Sequence, residues 1–219
     1  MLMPGKAAVR GFTLVEMMIA VVLGMILIGS TLALVVSTGQ ANAEAVQSAR
    51  VTQEMRAISE IVSRELRRAR FVDDSIGLIG TGGATVNPYD AIVVSNAGAC
   101  IQYSYQNVSD MGTPNDEADD VTVDSFRTLS RVDVDGRGVI YLATDDAASP
   151  ACDADDAAAL SSPQVDVTSL IFVANDACTP TAVQATLQAQ LVGDADITRT
   201  FVDEVRLRNA ALPGFTCSP

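Results

Sequence analysis

Between Phe12 and Val36 the chain runs through 25 residues whose only charge is Glu16. As a helix this run spans roughly 37 Å at 1.5 Å per residue, against about 30 Å of membrane hydrocarbon. It is long enough to cross a bilayer with some tilt. Lys6 and Arg10 precede the run without an acidic residue to offset them, and the next basic residue is Arg50. The excess of cations before the run places the N-terminus in the cytoplasm and the rest of the chain outside. The small residues Ala41–Ala43 imitate a signal-peptide cleavage site, but the apolar run is far longer than a signal-peptide core of about 7 to 15 residues. The helical pattern also passes straight through those residues.

Beyond the apolar run, Val51, Met55, Ile58, Val62, Leu66 and Ala69 recur at spacings of four and three, an apolar stripe on a 3.6-residue period. Gln53, Glu54, Arg56, Glu60, Arg64, Glu65, Arg67 and Arg68 are assigned to the opposite, solvated face, with Glu60 and Arg64 at the i, i+4 spacing that favours an ion pair. No proline interrupts the chain between Pro4 and Pro88, so one helix is predicted from Phe12 to about Arg70. The arginines at 64, 67, 68 and 70 read as cations that complement the helix dipole and solvate its last turns.

After Phe71 the punctuation changes to Gly, Pro, Asn and Asp. Short runs at 91–95, 100–106, 120–134, 138–144, 167–174 and 199–207 read as strands of an antiparallel sheet with one face covered. The amphipathic half of the helix supplies that cover. The stretch QATLQAQLVG is compatible with a strand or a short helix, and the stretches at 80–89, 109–120 and 145–163 read as loops. The fold class is therefore α+β, with a long N-terminal helix packed on an antiparallel β-rich head. The divisions are residues 1–11 as a leader, 12–36 as the membrane half of the helix, 37–70 as its amphipathic half and 71–219 as the head.

From Phe71 onward there are 22 Asp or Glu against 6 Arg, within a net formal charge of −13 for the whole chain. Such a field repels phosphates, so direct nucleic-acid binding is not expected. Cys100, Cys152, Cys178 and Cys217 all follow the helix, where an oxidising compartment permits disulfides. Four cysteines allow three connectivities, and the loop-local pairs Cys100–Cys152 and Cys178–Cys217 are favoured. The acidic runs containing Asp116, Asp119, Asp120, Asp133 and Asp135 offer oxygen ligands to calcium, yet none follows the spacing of an EF-hand loop. Solvated acidic loops are the preferred reading, with no cofactor assigned. The chain has no histidine and its single lysine is Lys6. The usual bases for a serine or cysteine nucleophile are thus missing, and an enzyme is not expected.

The segment KAAVRGFTLVEMMIAVVLGMILIGS resembles the class III signal of type IV pilins and type II secretion pseudopilins. A basic leader, Gly, Phe, Thr-Leu, an aliphatic residue, Glu and a long apolar run occur together in order. The resemblance implies that prepilin peptidase cuts after Gly11 and that the new N-terminal Phe12 is methylated. It also implies that Glu16 pairs with the free amine of a neighbouring subunit when helices stack into a filament. That pairing resolves the cost of several kcal/mol for a lone carboxylate in hydrocarbon. Many major pilins carry a proline about two-thirds along this run, where this chain has Ala33, with Gly24 and Gly29 as the flexible points.

The helix end VTQEMRAISEIVSRELRRARF and the segment RTFVDEVRLRNAAL, which closes on Val205, Arg206, Leu207, Arg208 and Asn209, are most similar to PilW-type minor pilins. On that resemblance the chain helps to initiate or tip a type IV pilus. Its expected partners are other minor pilins, the major pilin, prepilin peptidase and an inner-membrane assembly platform. It is stored in the bacterial inner membrane with its head in the periplasm before joining the filament. The alternatives are a J-type minor pseudopilin of type II secretion, and an adhesin or ligand-binding module that uses the helix as an anchor.

Overall fold

The computed structural model describes residues 11–73, 87, 89–109, 121–177 and 179–209. One helix, α1 (Leu14–Arg68), opens the described chain without a break. Gly24, Gly29 and Gly39 do not interrupt it, as expected where glycine weakens a helix by about 1 kcal/mol without removing its hydrogen bonds. Eight strands follow: β1 (Val93–Ser95), β2 (Cys100–Ser109), β3 (Val121–Val134), β4 (Arg137–Asp145), β5 (Ala157–Ala159), β6 (Val165–Ala174), β7 (Ala182–Leu191) and β8 (Asp194–Arg206). The residues divide into two compact units, Met1–Gln47 and Ser48–Pro219.

In the first unit the helix is long and apolar enough to cross a membrane. Its large apolar side chains from Phe12 to Val36 are exposed. Ser30, Thr31 and Thr38 turn their hydroxyls back onto helix carbonyls, so these three donors are satisfied within the helix itself. That economy suits a hydrocarbon setting, where an unsatisfied polar group costs several kcal/mol.

In the second unit the predicted stripe is the buried one. Val51, Met55, Ile58, Val62, Leu66 and Ala69 join a single apolar cluster with Ile101, Tyr103, Tyr105 and Leu129 of one sheet and Leu170, Phe172, Val183 and Val205 of the other. Fully burying an aliphatic side chain contributes roughly 1.5–3 kcal/mol, so this stripe is the main tie between helix and strands.

The strands form two antiparallel sheets, ordered β1-β2-β3-β4-β5 and β6-β7-β8, where a single sheet was expected. The sheets meet where β4 passes β6, and Gly138 makes the approach possible. A side chain there would start 1.9 Å from the Val167 carbonyl oxygen and 2.6 Å from the Arg131 guanidinium. Around that point Arg131 donates to the Val167 carbonyl at 2.6 Å, the Gly138 N–H donates to Asp166 at 2.8 Å, and Arg137 donates to the Ser162 carbonyl at 2.7 Å.

Further corrections concern particular elements. QATLQAQLVG is the middle strand β7 of the second sheet, with Val183, Ala185, Leu187 and Ala189 buried on one side. The region read as a loop at 145–163 contains β5, three alanines paired to the edge of β4. The register of β3 against β2 is unbroken from Val121 to Ser130.

Candidate processing and assembly site

Residues 11–13 precede the helix in exposed, non-helical backbone, so the peptide bond between Gly11 and Phe12 lies outside the helical hydrogen-bond ladder. A bond in that state is open to a peptidase without unwinding a turn. Thr13 occupies the N-cap position, and its hydroxyl accepts a hydrogen bond from the Glu16 backbone N–H at 3.3 Å. Thr13 and Glu16 thus stand at the first and fourth positions of a capping box, with the acidic side chain three residues into the helix. Glu16 is exposed in the first turn, where a negative charge complements the helix dipole. The capping role was readable in Thr-Leu-Val-Glu. In the sequence that cap is overshadowed by the charge of Glu16 against the apolar run.

The amphipathic end of α1 behaves differently from its predicted polar face. Glu54 is half-buried, and its carboxylate accepts from both the backbone N–H and the hydroxyl of Ser162. Glu65 is buried; it takes a hydrogen bond from the Tyr103 hydroxyl at 3.4 Å and pairs with Arg68 at 3.5 Å. Tyr103 is pushed well above the ordinary tyrosine range, first by its burial and then by the Glu65 charge. The expected Glu60–Arg64 ion pair does not form. Glu60 and Arg64 instead line an open groove with Arg67 and Asp203.

Arg70 is the largest correction. Rather than solvating the helix end, it is 2% exposed and holds a left-handed backbone with φ of 64°. Its guanidinium donates to the carbonyls of Asp90 at 2.8 Å and Pro180 at 2.7 Å. Its backbone N–H meets the Ser104 carbonyl at 2.9 Å, while the Asn87 amide donates to its own carbonyl. Burial lowers its pKa and the nearby Asp90 charge opposes that shift. Asn209 donates its side-chain amide to the Ala69 carbonyl at 3.0 Å, so the segment just after β8 helps to close the same helix end.

Cys100 and Cys152 are joined in a disulfide; Cys178 and Cys217 lie outside the described residues. The bond fixes the β4–β5 connection over β2 and β3, where Gln102 and Thr128 both donate to the Pro150 carbonyl at 2.7 Å. Of the acidic residues considered for calcium, Asp116, Asp119 and Asp120 also fall outside the described residues. Asp133 and Asp135 make the β3–β4 turn. The Asp133 carboxylate accepts from the Gly136 N–H at 2.9 Å, and Asp135 and Gly136 both have positive φ, 56° and 78°. That is the backbone of a two-residue hairpin turn. Among the described residues no three candidate metal-binding side chains come together.

Comparison with known families gives two matches. A family described as prepilin peptidase-dependent protein B matches residues 44–207, and the prokaryotic N-terminal methylation motif matches residues 6–32. No curated protein and no solved structure matches the chain.

Proposed function

Since the chain belongs to the prepilin peptidase-dependent protein B family and carries the N-terminal methylation motif of pilin-like proteins, we propose that it is a PilW-like minor pilin that helps to initiate or tip a type IV pilus. In this reading prepilin peptidase cuts after Gly11, Phe12 becomes the methylated N-terminus, and the subunit waits in the inner membrane with its head in the periplasm. Its role is structural and non-enzymatic. Its partners are other minor pilins, the major pilin and the inner-membrane assembly platform.

The observation that carries the reading is Glu16, an exposed carboxylate in the first turn of an apolar helix whose N-terminal backbone is open. In hydrocarbon that charge needs a cation, and cleavage after Gly11 would create one at the end of every neighbouring copy. A staggered stack of helices places each amine by the next carboxylate, and slippage would leave both charges unpaired.

Two measurements test this. Mass spectrometry of the membrane-bound protein should find a mature chain that starts at methylated Phe12; an intact leader, or a start after Ala43, would refute processing. Glu16→Ala should be cleaved normally yet be lost from sheared filaments. Recovery of the variant at wild-type level would count against the pairing.

A further inference from the structure

The second unit carries an arginine-lined groove on one face of its five-stranded sheet, next to a mixed groove that holds Glu60 and Asp203, and an acidic connection on the other face. Directly paired residues on neighbouring antiparallel strands point to the same side, and successive residues alternate. Ile101 with Leu129, and Tyr103 with Arg127, therefore share the face covered by α1. Gln102 with Thr128, and Cys100 with Ser130, share the other.

On the helix side a groove of about 510 Å³ is lined by Arg67, Arg68, Phe71, Tyr105 and Arg208, with no acidic residue in its lining. Arg68 is partly neutralised by Glu65, whereas Arg67 and Arg208 enter no ion pair among the described residues. Phe71 is 40% exposed beside these cations.

At the start of the β4–β5 connection Asp145 and Asp146 line a groove with Arg127 and Thr144; further along, on the other side, the connection exposes three carboxylates, Asp153, Asp155 and Asp156. They are not on a loose loop. The Cys100–Cys152 disulfide, the hydrogen bonds of Gln102 and Thr128 to Pro150, and that of Ser130 to the Asp153 carbonyl pin the connection to the strands. The sheet stands between the two charged surfaces, so one molecule cannot bring them together.

We propose that the arginine groove receives the acidic β4–β5 connection of a second copy of this chain. The occupant follows from charge: beyond Phe71 acidic residues outnumber basic ones 22 to 6, and this connection is an acidic surface pinned to the strands on the far side. A contact between two different patches is heterologous and leaves a free groove at one end and a free acidic surface at the other, so it extends instead of closing. It uses surfaces of the second unit alone, the end of α1 included, and does not depend on Glu16 or on leader removal.

The test uses the full-length protein in detergent micelles, with self-association followed by analytical ultracentrifugation. Association should weaken about tenfold or more between roughly 50 and 500 mM NaCl, because exposed charge pairs are screened over that range. Arg67→Glu with Arg208→Glu should abolish association, as should Asp153→Lys with Asp155→Lys. Mixing the two variants should restore it, since the reversed groove then faces a reversed connection. All substituted side chains are at the surface, and an unchanged circular dichroism melt verifies folding; Arg67→Gln with Arg208→Gln provides a milder second variant. Association that ignores salt, survives either double substitution, or fails to return on mixing overturns the proposal.

Discussion

The carboxylate of Glu54 accepts two hydrogen bonds from Ser162, one from its backbone N–H at 2.6 Å and one from its hydroxyl at 2.7 Å. The residues are 108 apart in sequence, and the contact ties the helix to the entry of β6. Hydrogen bonds to a charged group are worth about 1.5–3 kcal/mol each, discounted here because Glu54 is half-exposed. Glu54→Ala is expected to lower unfolding free energy by about 1–2 kcal/mol, read by denaturant titration of the protein in detergent. Glu54→Gln keeps one acceptor and should lose less.

Arg70 gives a sharper expectation. Arg70→Met retains the length of the side chain but leaves the Asp90 and Pro180 carbonyls without their donor. Breaking a buried polar arrangement from one side costs about 3–5 kcal/mol, and a drop of that size in the same titration checks it. Arg70→Lys, with a single compact ammonium in place of the fork, should fall between wild type and Met.

The disulfide closes a separation of 52 residues. Cys100→Ser with Cys152→Ser is expected to reduce stability by about 2–5 kcal/mol. A lower melting temperature, together with faster proteolysis between Asp145 and Asp156, would register the freed connection.

High pH attacks buried tyrosines. Tyr89 donates to Asp124 and is pushed up to about 12, first by burial and then by that hydrogen bond and charge; Tyr103 in the core is also raised, first by burial and then by the Glu65 charge. In an unfolded chain a tyrosine ionises near pH 10. The folded state favours the protonated phenol, so this stabilisation is complete below about pH 10 and disappears as pH rises through about 12. Melting temperature should fall across that window. Tyr103→Phe should flatten the fall while giving up one weak hydrogen bond to Glu65.

The helix was legible because its signals are local. A continuous apolar run and a 3.6-residue stripe from Val51 to Leu66 need no knowledge of partners, and the stripe is the one the fold buries. Arg70 was illegible for the opposite reason. Its acceptors come from residues 20 and 110 positions further along, and a cation reads as solvated until those carbonyls are known. In β7 the alternation of Val183, Ala185, Leu187 and Ala189 was present, but alanine, leucine and glutamine are strong helix formers, so propensity contradicted the period. The alanines of β5 have little strand tendency and become a strand by pairing with the edge of β4. Two sheets instead of one depend on which strands pair, and the alternation within a strand carries no information on that. At the front of the chain, the signal that marks Gly11, Phe12 and Glu16 also spelled out the helix cap.

The seat of Arg70 also has a meaning in time. Its two carbonyl partners belong to segments on either side of the first sheet, and the later one, Pro180, is made well after the helix. Until that residue arrives, a growing chain carries a cation at the helix end with nowhere to settle. The end of α1 is thus completed only once Pro180 is in place, and a copy truncated before it would keep a solvent-seeking charge where the core should close.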